Sequence, residues 1–87
     1  MDPKVRAERA RQLLDDELIK EAFRAVEAGL VGALKASPIG DVDTHHTIAL
    51  SLHLLGNVER QFHKWISDGA VEVAREKERK RLSLFRG

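Results

Sequence analysis

The feature that most constrains this chain is a pair of apolar periods separated by one loop. Leu18, Ile19, Ala22, Phe23, Val26, Leu30, Ala33 and Leu34 recur at spacings of three and four, as do Ile48, Leu52, Leu55, Val58, Phe62, Trp65 and Ile66. Such spacing places each set on one face of an α-helix. Opposite the first set lie Lys20, Glu21, Arg24 and Glu27. Between the two runs stands Ser37-Pro38-Ile39-Gly40-Asp41-Val42-Asp43, where Pro38 biases Ser37 away from the helical region and Gly40 permits a sharp turn. A connection this short makes the flanking helices antiparallel neighbours. The predicted fold class is therefore all-α: an antiparallel helical hairpin over about 16–36 and 44–68, with helical extensions at both ends.

Local signals set the boundaries. Asp2-Pro3 starts a helix, with a side-chain acceptor at the cap and a proline in the first turn, where its missing N–H costs nothing. Residues 4–14 are strong helix formers whose sizeable apolar side chains are Val5, Leu13 and Leu14, which predicts a mostly exposed helix ordered by a partner. Asp15-Asp16-Glu17 suits a helix N-terminus, where the dipole is positive. Asp43 or Thr44 is the expected cap of the second long helix. Ser67-Asp68-Gly69 reads as a helix end, after which a third helix begins at Ala70 or the second continues. The organisation is one domain over 1–87: an N-terminal helix (1–14), the hairpin (15–69) and a basic C-terminal tail (70–87). Gly29 and Gly32 each cost a helix interior about 1 kcal/mol. They mark either a weak last turn or a tight helix crossing.

Eighty-seven residues make a small core of Leu, Ile, Val and Ala, with four aromatic side chains and no cysteine for a disulfide or a thiolate metal site. Chains of this size often gain stability by associating. Leu50 and Leu54 lie off the main stripe, so the second long helix is apolar on more than one side and asks for a second neighbour. A homo-oligomer follows, with Ile48, Leu50, Leu52, Leu54, Leu55, Phe62 and Trp65 as its expected interface. No run of about 18 apolar residues exists, so no membrane partner is expected. Met1-Asp2-Pro3-Lys4 lacks the apolar core of a secretory signal, and the expected location is cytoplasmic.

The net charge of +1 is a cancellation. Residues 1–14 carry +2, 15–43 carry −4, 44–74 carry −1 and 75–87 carry +4. Three readings of the basic tail stand side by side. It is a solvated helix end laced by pairs such as Glu76–Lys80, a nucleic-acid contact through Arg75, Lys77, Arg79, Lys80, Arg81 and Arg86, or a dock for an acidic protein with Leu82, Leu84 and Phe85 as apolar anchors.

Catalytic patterns are missing from the residues. His45, His46, His53 and His63 contain no pair four apart, so the helical zinc pair is absent and the histidines read as exposed or interfacial. Ser37, Ser51, Ser67 and Ser83 have no nucleophile-elbow context, and Gly29-x-x-Gly32 is not a phosphate loop. Neither catalytic residues, metal nor cofactor is expected, and a small hairpin offers little concavity for chemistry.

Two stretches carry a family resemblance. Residues 7–23, Ala7-Glu8-Arg9-Ala10-Arg11-Gln12-Leu13-Leu14-Asp15-Asp16 followed by Glu21-Ala22-Phe23, together with the later Ile66-Ser67-Asp68-Gly69 turn, resemble small helical proteins of tailed bacteriophages and prophages. The resemblance spans about residues 6–72 and departs from the family pattern at His45-His46, where a charged helix start is usual. It implies a non-enzymatic role in virion assembly or DNA packaging, with other phage structural or packaging proteins as partners and the host cytoplasm or the virion as location. Two alternatives stand beside it. One is a phage-encoded inhibitor of host defence, either a protein binder or a cyclic-oligonucleotide sponge with Arg60 and Lys64 on phosphates. The other is a sequence-independent DNA-binding accessory protein acting through the tail.

Overall fold

The computed structural model describes residues 1–86, with side chains to Phe85. Among these the chain is all-helical, built from α1 (Pro3–Asp15), α2 (Glu17–Ala36) and α3 (Val42–Arg86), without a β-strand. Among the described residues no helix is long and apolar enough to cross a membrane. The chain packs as two compact units, one of residues 1–14 with 61–87 and one of residues 15–60.

Each helix start has a carboxylate. Asp2 accepts from the Lys4 N–H at 2.8 Å, as the Asp2-Pro3 signal predicts. Asp16, extended at φ −69° and ψ 124°, accepts from the N–H groups of Leu18 (2.8 Å) and Ile19 (3.2 Å). That one residue separates α1 from α2. The third cap corrects the expectation at Asp43 or Thr44. Asp41 takes the place, accepting from the Thr44 N–H at 3.2 Å and the Thr44 hydroxyl at 2.6 Å, so α3 begins at Val42. Two donors from one residue converge on its carboxylate and hold the Asp41 pKa below the usual carboxylate range, the hydroxyl contributing most.

In the unit of residues 15–60, α2 ends where Pro38 excludes the helical conformation at Ser37. The Ser37 N–H bonds back to the carbonyls of Ala33 (3.1 Å) and Leu34 (3.3 Å), and its hydroxyl donates to the Leu34 carbonyl at 2.8 Å. The side chains turned inward are Ile19, Phe23, Leu30 and Val31 on α2, and Thr44, Ile48, Leu52 and Leu55 on α3. Ile48 is the one hydrophobic residue of this unit that is buried, at 6% exposure, and α2 buries none.

In the other unit α1 runs antiparallel to α3, with Lys4 beside Glu76, Ala7 against Gly69, and Leu13 sharing a groove with Phe62. Ala7 and Ala10 are both 2% exposed. Two expectations change here. The exposed first helix awaiting a partner is seated on the chain's own α3, through alanines that a search for large apolar residues passes over. The helix end at Gly69 is also absent: α3 runs on to Arg86, and no described glycine has a positive φ. Gly69 is a packing residue, because a Cβ there would overlap the Ala7 Cβ and stand 3.2 Å from the Pro3 carbonyl. At Gly29 and Gly32 the opposite holds. No atom lies within 4 Å of where their Cβ would stand, so neither makes a tight crossing within the chain.

Candidate interaction surfaces

The residues singled out by sequence fall on three surfaces. The first is the outer side of α2 and of the first part of α3. Helical spacing turns Leu50, Leu54 and Val58 away from buried Ile48, and they are 51%, 64% and 48% exposed. On α2, Leu18 and Val26 are likewise exposed, joined by Ala22, Gly29 and Ala33 at helical spacing. Of the expected interface residues, Leu50 and Leu54 lie here. Ile48, Leu52 and Leu55 point into the unit instead. Leu18 and Val26 were hidden in the sequence, because a single apolar period on α2 contains both its inner and its outer face.

The second surface is an apolar groove of about 270 Å³ between α1 and α3, floored by Ala10, Leu13, Phe62 and Trp65. Phe62 meets Trp65 edge to face, with ring centroids 5.8 Å apart. The Arg6 guanidinium covers the Trp65 ring at 5.2 Å, a contact of about 0.5–1 kcal/mol. Arg6 also reaches Asp68 at 3.9 Å, while its Nε is shielded from solvent without a hydrogen-bond partner. Phe62 and Trp65, expected at an oligomer interface, are thus half-covered by the chain's own first helix.

The third is the basic stretch of α3. Its carboxylates are engaged: Glu76 with Lys4 at 2.7 Å, Glu72 with Arg79 at 3.2 Å, and Glu78 with Arg81 at 2.7 Å. The Glu76 contact raises the Lys4 pKa, first through the hydrogen bond and then through charge. The expected Glu76–Lys80 pair is therefore replaced by a contact between α1 and α3. Among the described residues, Arg75, Lys77 and Lys80 have no carboxylate within ion-pair distance. Leu82, Leu84 and Phe85 are exposed beside them, and the Arg86 side chain lies outside the described residues.

The remaining candidates are dispersed. Arg60 folds over Gly56 and donates to the Asn57 side chain, bordering a shallow groove with Ala49, Leu52 and His53. Lys64 pairs with Asp68 at 2.9 Å. The His45 Nε2 lies 2.9 Å from the Ser37 hydroxyl. Since that hydroxyl already donates to Leu34, Nε2 carries the proton and donates. His46, His53 and His63 are exposed, and among the described residues no three His, Asp or Glu side chains gather as a metal ion requires.

With family models, curated proteins and solved structures, this chain gives no match.

Proposed function

We propose that the chain is a non-enzymatic assembly protein of phage type, working through self-association and protein–protein contacts in the host cytoplasm or the virion. The observation that carries this reading is the imbalance within residues 15–60. One hydrophobic residue, Ile48, is buried there, while Leu18, Val26, Leu50, Leu54 and Val58 remain exposed. Covering a Leu or Val side chain contributes about 1.5–3 kcal/mol when complete, so five half-exposed ones leave several kcal/mol for an association to collect. The resemblance of residues 7–23 to phage proteins supplies the biological setting. We take α2 and the first part of α3 to be the antiparallel hairpin the sequence predicts. The loop of five residues, 37–41, and the His45–Ser37 bond across it support that arrangement.

The test is the mass in solution by light scattering across a range of concentrations. A whole multiple of 9.8 kDa is expected, and a monomer at every concentration overturns the reading.

A second reading, sequence-independent nucleic-acid binding, is favoured by one observation: Arg75, Lys77 and Lys80 project from α3 without acidic partners among the described residues. Binding to DNA should weaken steeply with salt, and replacing these three by alanine should lower the slope by about 2–3. A gel shift absent at low salt removes it.

A further inference from the structure

This inference rests on the self-association and hairpin proposed above. At about 100° per residue, the exposed strip of α2 (Leu18, Ala22, Val26, Gly29, Ala33) is turned some 80° from its inward residues Ile19, Phe23 and Leu30. On α3, Leu50, Leu54 and Val58 are turned about 130° from Ile48, Leu52 and Leu55, in the same rotational sense along the chain. Antiparallel right-handed helices wind in opposite senses when viewed from one end. Offsets of the same sense therefore bring both strips to the same side of the hairpin. That side has a ridge of large side chains on α3 and a shallow strip on α2, where Ala22, Gly29 and Ala33 are small.

Height along the hairpin matches the two. Gly29 stands seven residues before the end of α2 and Leu50 eight after the start of α3, about 10.5 and 12 Å from the loop end. A twofold axis parallel to the helices would bring Leu50 of each copy onto Gly29 of the other. The face measures about 20 by 20 Å from the helix rise, diameter and spacing. Two copies thus cover about 800 Å² before side-chain relief is added, against about 1,000 Å² for a specific interface. Gly29 is open above its Cα within the chain and has no positive φ, so neither packing nor backbone conformation within one copy calls for glycine there.

We propose that this face is a twofold self-association surface in which the Leu50–Leu54–Val58 ridge of one copy seats on the Ala22–Gly29–Ala33 strip of the second, and reciprocally. The cysteine-free chain allows a direct test. Single-cysteine variants Gly29→Cys and Leu50→Cys are mixed and oxidised, and the disulfide-linked products are resolved by mass. The mixed product should dominate, with little Gly29→Cys self-linkage. Leu54→Glu should weaken association at least about tenfold by light scattering while helicity by circular dichroism is retained. An oligomeric chain whose Gly29→Cys variant links to itself and not to Leu50→Cys overturns this arrangement and leaves the assembly reading standing. So does an oligomer whose mass ignores Leu54→Glu. A monomeric wild type overturns the assembly reading itself.

Discussion

Gly69 lies so close to Ala7 that the two helices touch backbone to side chain, and any Cβ at position 69 would occupy space already held by Ala7. The contact fixes α1 on α3 and sets opposite expectations for glycines that look alike in sequence. Gly69→Ala adds helix propensity but should destabilise the chain by about 1–3 kcal/mol through overpacking. Gly32→Ala meets nothing within 4 Å and should stabilise by about 0.5–1 kcal/mol. Urea unfolding of both variants checks the pair; equal and favourable effects would contradict the crossing.

Trp65 is the single tryptophan, so its fluorescence reports on the seat of α1. Ala10, 2% exposed and beside the Trp65 groove, is the sensitive position. Ala10→Asp buries an unpaired charge at a cost of several kcal/mol and should release α1, shifting Trp65 emission to the red. Emission unchanged from the native protein would mean that α1 does not cover Trp65 in solution.

Asp41 gives an acid-side signature. Its pKa is lowered in the folded chain, so its contribution is complete above the unfolded value of about 3.9 and is lost as pH falls through the lower folded value. Asp41→Ala should lower Tm at neutral pH. The gap between native and variant should narrow below about pH 4 and close toward pH 2. A gap independent of pH would show that the capping carboxylate acts without its charge.

Lys4 gives the alkaline counterpart, with the opposite sign. Its folded pKa is raised above 10.5, so its contribution is present below that value and is lost as pH rises through the folded one. Glu76→Gln should remove this alkaline loss. Both side chains are more than a third exposed or close to it, so the effect should be small and vanish in about 1 M salt. Melting curves from pH 8 to 11.5 at two salt concentrations check it.

Much of the architecture is legible residue by residue. Asp2-Pro3 and Asp16 cap helices as their positions suggest, and Ser37-Pro38 ends α2 because proline restricts the residue before it. Asp41 is harder to read, since Asp41, Asp43 and Thr44 all have capping chemistry, and the choice depends on which carboxylate Thr44 can reach. Which apolar residues face outward was half legible. Leu50 and Leu54 stand off the main stripe and are exposed, whereas Ile48, Leu52 and Leu55 share a period with outward residues.

By itself the sequence determined the helical class, the first two caps and the one loop, because these depend on spacing and on hydrogen bonds within a few residues. The tertiary structure decided the roles of the glycines and alanines. Gly69 and Ala7 form a crossing while Gly29 and Gly32 stand open, and Glu76 takes Lys4 rather than Lys80. A small residue has no side chain to declare a preference, and an exposed carboxylate has several cations within reach. What each one does is set by which backbone arrives beside it, and that depends on residues 62 and 72 positions away in the chain.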